Sequence, residues 1–329
     1  MLISVVIPAY NAEKTIARCV QEILNSCSQP TEIIVVDDGS SDNTEKVLQE
    51  FSCRIKIIRQ KNQGPAAARN TGAKAASGEV IVFTDSDTIP EADWLSEIRK
   101  AFTDKTIKAA AGCYNIANSN SKLSQVIQQE LEQRYMRYKN FIKFGGTYNL
   151  AVSKNEFNKV DGFDTSYTAA SGEDNDFCYK LLKNKVKIKF LPKAKVKHFH
   201  TESPVKYLKE QYRHGYWRAK LYATHPSKLA GDDYTYWKDM IEPPLCLLTL
   251  SALPFLACRK QNLKIAATLS LTAFITALSL IEFQQVFNFK LSLPNRLFAA
   301  FIMFFRAFAR TIGFIHGILN FYGRTANEK

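Results

Sequence analysis

Residues 79–88, EVIVFTDSDT, set an apolar run of strand length directly against two carboxylates one residue apart, Asp85 and Asp87. A short continuous apolar run is the mark of a strand buried on both faces. Acids at its carboxyl end stand where open α/β sheets collect their ligands. The same construction recurs upstream. ISVVI (3–7), EIIVV (32–36) and IKII (55–58) read as strands, and 12–26, 42–51, 65–76 and 91–102 read as helices. Strands alternating with helices imply a mostly parallel sheet with helices on both faces. Residues 121–143 read as a long polar helix, after which GGTYNLAV (145–152) returns to a strand, so the sheet continues into the second half of the chain.

A chain of 329 residues has room for one sizeable α/β domain and an appendage. The appendage begins where apolar residues concentrate. After a helix at 203–223 come three apolar segments, 243–258, 263–283 and 297–321. A membrane span needs about 20 mostly apolar residues, which the second segment fits best. The first is short and contains Pro243, Pro244 and Pro254. The third carries Arg306 and Arg310 on one face, plus His316, which suits an interfacial amphipathic helix or a span with snorkelling arginines. A soluble helical cap is the alternative. The expected organisation is a catalytic domain over 1–235 and a membrane-associated region of two or three hydrophobic helices over 236–329. By the positive-inside tendency Arg259 and Lys260 argue for a cytoplasmic loop between the first two segments, with the topology left open.

The net charge of +13 asks for an anionic partner. Lysines alternate through 183–197, so two extended strands would present every Lys on one face, with Val186, Ile188, Ala194 and Val196 on the other. That face is either solvated or turned to anionic lipid. No nucleic-acid motif accompanies it, and nucleic acid is not expected as a partner. Seven cysteines form no CxxC pair and leave one unmatched, which excludes a disulfide framework and a thiolate metal site and fits a reducing, cytosolic face. The amino terminus shows no basic region or cleavage site of an export signal.

Three blocks carry chemistry. VVDDGSSDNT (35–44) puts two carboxylates after a strand, where Asp accepts hydrogen bonds from a base imide or a ribose hydroxyl. An Asx turn with a helix cap at Asp42 explains the same residues. In FTDSDT (83–88), two acids one residue apart can hold a divalent ion that also takes phosphate oxygens, the oxygen-rich coordination of Mg²⁺ or Mn²⁺. In SGEDNDF (171–177), Ser171 would cap a helix whose first turn carries Glu173 and Asp174, which accounts for the acids electrostatically. The chemical alternative is a general base within reach of an attacking hydroxyl.

VVIPAYN, VVDDGS, NQGPAAARNTG, FTDSD and GEDND, in this order and spacing over residues 2–220, resemble the family 2 inverting glycosyltransferases. The resemblance implies the A-type glycosyltransferase fold, a Rossmann-like sheet, followed here by the C-terminal helical membrane region. It implies that Pro8, Ala9, Tyr10 and Glu13 line the nucleotide site, that Asp38 hydrogen-bonds the base, and that Arg69 lies near the nucleotide. Asp85 and Ser86 would face the ribose or sugar. Asp87 is the expected metal ligand, with Asp85 beside it, and Asp174 the expected base, with Glu173 as its neighbour at the acceptor site. The family often adds a late histidine to the metal; of His198 and His200, which share the inward face, the Val-x-His pattern favours His198.

The expected reaction is therefore inverting transfer from a UDP- or GDP-type sugar donor, helped by Mg²⁺ or Mn²⁺, to a hydroxyl of a lipid-linked or saccharide acceptor. It would take place at a membrane, with membrane lipids around the C-terminal region and the catalytic domain facing the cytoplasm. QYRHGYW (211–217) departs from the Gln-x-x-Arg-Trp of the family's polymer synthases, which argues for a non-processive enzyme. A polyprenyl-phosphate glycosyltransferase and a non-catalytic membrane scaffold that binds nucleotide sugar or anionic lipid are the two rival readings.

Overall fold

Strand residues point alternately to opposite faces, and this alternation decides which helix covers which side of the sheet. The computed structural model describes residues 1–26, 29, 31–230 and 237–322. In chain order the elements are β1 (Ile3–Ala9), α1 (Ile16–Ser26), β2 (Thr31–Asp37), α2 (Thr44–Gln49), β3 (Lys56–Arg59), α3 (Pro65–Ala75), β4 (Val80–Phe83), β5 (Thr88–Pro90), α4 (Trp94–Ala101) and β6 (Ala109–Ile116). Then follow α5 (Lys122–Arg137), β7 (Phe141–Ile142), β8 (Leu150–Ser153), α6 (Lys154–Lys159), α7 (Glu173–Lys183), β9 (Ile188–His198), α8 (Pro204–Thr224), α9 (Trp237–Ala252), α10 (Gln261–Phe287) and α11 (Leu293–Phe321). They form two compact units: Met1–Ser119 with Leu131–His200, and Asn120–Glu130 with Thr201–Lys329. This division follows packing and falls at residue 200.

The sheet unit holds one sheet in the order β3-β2-β1-β4-β8-β6-β9-β5, with β7 also on β9. Strands β1 to β4 are mutually parallel. Beyond them β8 runs antiparallel to both β4 and β6, and β9 runs parallel to β6, so the second half of the sheet is mixed. Ile3, Val5 and Ile7 of β1, with Ile33, Val35, Val80 and Val82, bury against Ile16, Val20 and Ile23 of α1 and Trp94, Leu95 and Ile98 of α4. On the opposite face Gly72 of α3 lies directly on Val6 and Val36, where a Cβ would collide with the Val6 side chain.

The lysine-rich stretch forms one strand, β9, and not two; Ala194 and Val196 are buried while Lys193 and Lys197 are exposed. Its pairing with β6 shifts register between Ala111 and Cys113. Asn149 repairs that irregularity by donating through Nδ2 to the carbonyls of Ala194 (2.9 Å) and Cys113 (3.2 Å), while its Oδ1 accepts from Trp94 Nε1. A single polar residue thus satisfies the backbone that the shift leaves unpaired.

In the helical unit α11 packs along α8. Gly313 and Gly317 sit against the carbonyls of Tyr212 and Tyr216, and Gly215 against that of Arg310, so both backbones approach as only glycine allows. Trp237–Ala257, Gln261–Phe287 and Leu293–Phe321 are each long and apolar enough to cross a membrane. The first continues through Pro243 and Pro244 before a 3₁₀ turn at Leu253–Ala257. Arg306 does not snorkel: it is fully buried and its Nη1 donates to both carboxylate oxygens of Glu130 at 2.8 Å. Arg310 pairs with Asp239 and donates through Nε to Gln211. Snorkelling requires an aqueous boundary; an arginine offered carboxylates inside the bundle has no reason to seek one.

Candidate active site

Gly64 and Pro65 fix where α3 starts. Gly64 caps it at φ 90°, with the Thr168 carbonyl where a Cβ would be, and Pro65 supplies the preset φ of a first helical residue. Arg69 then projects from the second turn into the protein, only 3% exposed. Its Nη2 donates to Asp85 Oδ1 at 2.8 Å and its Nη1 to Glu173 Oε1 at 2.9 Å. The guanidinium thereby ties the acids after β4 to the acids at the start of α7, 104 residues apart in sequence from Arg69 to Glu173. Burial works against its charge, and the two carboxylates outweigh that and raise its pKa. Burial also raises the Glu173 carboxyl above its ordinary value, since one guanidinium shared between two acids offsets only part of the desolvation.

α7 is capped by Gly172 at φ 92° without a side-chain bond, so Ser171 is not the cap. A left-handed glycine turns the chain so sharply that Glu173, Asp174 and Asp176 fall in the first turn, where the helix dipole favours negative charge. Glu173 is buried on Arg69, while its neighbour Asp174 is half-buried, with Oδ1 accepting from the Asn175 amide.

Asp87 lies in the turn after β4, and its Oδ2 is 3.2 Å from His198 Nε2 at the end of β9. His198 Nδ1 in turn meets His200 Nδ1 at 3.3 Å. His200 is the more buried, held through its backbone by Asn118; burial first, then His198, depresses its pKa to about 3, so it is neutral. One Nδ1 donates to the other, which fixes both rings. Among the described residues no three His, Cys, Asp or Glu side chains form a ready-made metal cage. Asp85 Oδ1 is turned onto Arg69, while Asp87 and His198 face each other.

Around the end of β1, Ala9 is buried and Tyr10 is exposed, with Pro8 between the extremes. Glu13 Oε2 accepts from both the amide and the side chain of Asn43, and Asp42 accepts from the Glu13 amide and from Thr44, so these acids knit the two loops together. Asp42 therefore does act on the start of α2, although Asn43 holds the cap position. Asp38 is buried; Gln60 Nε2 and the Gln63 amide donate to Oδ1 at 2.7 and 3.0 Å, and the Gly64 amide donates to Oδ2 at 2.8 Å. It thus anchors the loop that leads into α3 and, through α3, Arg69. Ser86 sits half-buried in the turn between Asp85 and Asp87.

The sequence reading missed a tyrosine layer behind the metal-motif acids. Tyr114 at the end of β6 stacks on Tyr148 at 3.4 Å and lies 4.7 Å from the His198 ring; Tyr135 Oη contacts Tyr148 Oη at 3.2 Å and accepts from the Tyr114 amide. Burial, then Asp85 and Asp87, hold the Tyr114 hydroxyl protonated far above its usual range. Its position at the carboxyl end of a strand was the available signal.

A mixed sheet of this order, covered by helices, has the A-type glycosyltransferase fold. The mannosyltransferase PcManGT from Pyrobaculum calidifontis, solved with GDP-Man and Mn2+, shares the fold with a TM-score of 0.59 at 18% identity, over 94% of this chain and 86% of its own. Residues 4–160 match Glycosyl transferase family 2, and residues 128–202 match the N-terminal domain of galactosyltransferase. Residues 4–160 are thus similar to the glycosyl transferase family 2 domain. The Escherichia coli UDP-Glc:alpha-D-GlcNAc-diphosphoundecaprenol beta-1,3-glucosyltransferase WfgD is 39% identical over 128 residues, 38% of this chain and 51% of the relative. The pre-mycofactocin glycosyltransferase of Mycobacterium tuberculosis is 28% identical over 240 residues, 69% of this chain and 49% of the relative. Glycosyltransferase GlyG of Streptococcus pneumoniae is 38% identical over 117 residues, 34% of this chain and 39% of the relative. The chain spans about half the length of these curated relatives or less.

Proposed function

We propose that the chain moves one sugar, with inversion, from a UDP- or GDP-type nucleotide sugar to a hydroxyl of a lipid-linked or saccharide acceptor, with the sheet unit on the cytoplasmic side of a membrane. The observation that carries this is the Arg69 bridge, which makes the FTDSD and GEDND blocks parts of one site. Asp174 is the base: it is less buried than Glu173 and stands beside it, so it can meet an acceptor while Glu173 stays locked on Arg69. In the step itself the acceptor oxygen attacks the anomeric carbon, the bond to the diphosphate breaks on the opposite side, and the acceptor proton passes to Asp174.

Asp87 and His198, which face each other at 3.2 Å, would hold Mg²⁺ or Mn²⁺. Such an ion, when bound, neutralises charge on the departing diphosphate. His198 presents its Nε2 lone pair on the Asp87 side when its Nδ1–H donates to His200, the partnership that usually orients a ligating histidine. Tyr10, exposed at the end of β1, would offer its ring to the base, with Asp38 holding the neighbouring loop in place.

The test is a panel of nucleotide sugars and acceptors with the detergent-solubilised protein and its Asp87→Asn and Asp174→Asn variants. Turnover should need Mg²⁺ or Mn²⁺, collapse in Asp87→Asn, and fall roughly 10²- to 10⁴-fold in Asp174→Asn, the usual worth of a positioned base. Undiminished transfer in Asp174→Asn would instead identify an acceptor that is already ionised, such as a polyprenyl phosphate. No turnover of any donor in any combination would leave a binding scaffold.

A further inference from the structure

The lysines of 183–197 play no part in the site above, and the two ends of β9 explain why. His198 closes the strand, whereas Lys185 and Lys187 precede its first residue, Ile188. Ten steps at about 3.3 Å put roughly 30 Å of sheet between them. At that far end is a cavity of about 420 Å³. Lys108 before β6, Lys159 at the end of α6, and Lys185 and Lys187 between α7 and β9 all line it, together with Phe141 and Glu156. Glu156 accepts from Lys159 Nζ at 2.8 Å, so three lysines on the rim are left without a lining carboxylate to balance them. A merely solvated lysine face would spread its lysines over a convex surface; here four lysines from separate segments line one concavity.

The end of α7 points the same way. The Lys185 amide bonds to the Leu182 carbonyl and the Val186 amide to the Leu181 carbonyl, each at 3.0 Å, which is the Schellman arrangement. Its left-handed position is the one helices usually give to glycine, yet it holds Lys185 at φ 62°. A strained backbone position is thus occupied by a lysine that lines the cavity. Lys187 lies over the half-exposed Phe141 ring, 5.5 Å from its centroid, so an apolar wall adjoins the charged one.

We propose that this cavity is a second anion site, distinct from the donor site, that takes a phosphate-bearing group between Lys108, Lys159, Lys185 and Lys187 with its less polar part against Phe141. A volume of 420 Å³ suits a small phosphorylated molecule or a phospholipid headgroup. The proposal does not depend on the transfer reaction.

The experiment is lysine acylation footprinting by mass spectrometry on the full chain, with a chelator present to silence metal-dependent binding elsewhere. One arm adds inorganic pyrophosphate to the detergent-solubilised protein, against chloride of equal ionic strength. The other compares nanodiscs of phosphatidylglycerol and phosphatidylcholine with those of phosphatidylcholine alone. Labelling of the four lysines should slow by about fivefold or more at saturating anion in at least one arm, while Lys14 and Lys46 stay unchanged. Protection by pyrophosphate assigns a soluble phosphate, and protection confined to the anionic nanodiscs assigns a headgroup. Lys185→Gly removes the charge while giving the backbone the residue it prefers, so it should fold and lose the protection of Lys108, Lys159 and Lys187. Equal labelling with and without anion in both arms, or protection unchanged in Lys185→Gly, would overturn the proposal.

Discussion

In the sheet unit Arg69 reaches Asp85 and Glu173 through different nitrogens at 2.8 and 2.9 Å, whereas in the helical unit Arg306 gives both its short bonds to Glu130 and meets Glu242 and Glu282 only at 3.8 and 3.7 Å. Lys238, 3.1 Å from Glu242 and 3.4 Å from Glu282, completes the second cluster. Both arginines are buried and both face more than one acid. Arg69 is a directional device: each planar donor edge fixes one carboxylate, and together they hold two chemical blocks in register. Arg306 works mainly by charge. It lets α5, α9, α10 and α11 each present an ionic side chain to a dry interior, where an unpaired one would be very unfavourable.

The largest expected effect is at the directional bridge. Arg69→Met leaves Asp85 and Glu173 facing each other unpaired, and removing one partner of a buried pair typically costs about 3–5 kcal/mol. Transfer should also fall by about 10²-fold or more per folded molecule, because displaced catalytic groups lose that much. Arg69→Lys separates the two losses: it keeps the charge but has no second planar edge, so thermal stability should recover more than turnover does. Equal recovery of both would mean that Arg69 acts by charge alone, and the contrast with Arg306 would disappear.

Arg306→Met should destabilise the helical unit by a similar ~3–5 kcal/mol, read as a fall in the thermal midpoint in detergent. Its turnover per folded molecule should nevertheless stay within about twofold, because the acids that meet Arg306 all belong to the helical unit and to neither acidic block. A loss of turnover matching that of Arg69→Met would show that the ionic cluster serves the chemistry directly. Changing Glu130 to Leu together with Arg306 to Met should be better tolerated than the single change, since it also removes the carboxylate that takes both short bonds.

Gly317→Leu tests packing in the same unit at smaller cost. The added side chain meets the Tyr216 carbonyl and the Ala219 methyl, so α8 and α11 must separate; overpacking of this kind costs about 1–3 kcal/mol. Gly317→Ala should give a lesser loss in the same direction. An unchanged thermal midpoint in both variants would show that the helices do not depend on this close approach.

What the sequence disclosed, and what it withheld, follows the same division between local and long-range physics. Strands β1 to β4 and the helices between them were legible because burial on both faces leaves continuous apolar runs, which need no knowledge of neighbours. The mixed order of β5 to β9 was not, since antiparallel insertion of β8 between β4 and β6 is set by pairings that leave little trace in periodicity. The acidic blocks were visible as motifs. The bridge that joins them was not, because nothing in GPAAARN says that Arg69 points at residue 173. Arg306 misled for a related reason: on a helical wheel it marks a polar face, and only the positions of Glu130, Glu242 and Glu282 show that this face turns inward. Ser171 looked like a cap by residue type, but the left-handed φ of Gly172 took that place.

The smallest effect isolates the Glu173 end of the bridge. Its carboxyl is raised above 4.5 by burial, with Arg69 opposing, so the folded protein binds this proton more tightly than the unfolded chain does. A group raised in this way contributes stability that is full below pH 4.5 and is lost as pH climbs through the folded-state value. Glu173→Gln keeps the shape, removes the titration, and should flatten the fall in the thermal midpoint over that window. If Glu173→Gln steepened the decline, the guanidinium would be stabilising the charged carboxylate more than burial penalises it. Arg69 would then be a fully satisfied pair at both ends, as Arg306 is at Glu130, and the two arginines would differ in geometry alone.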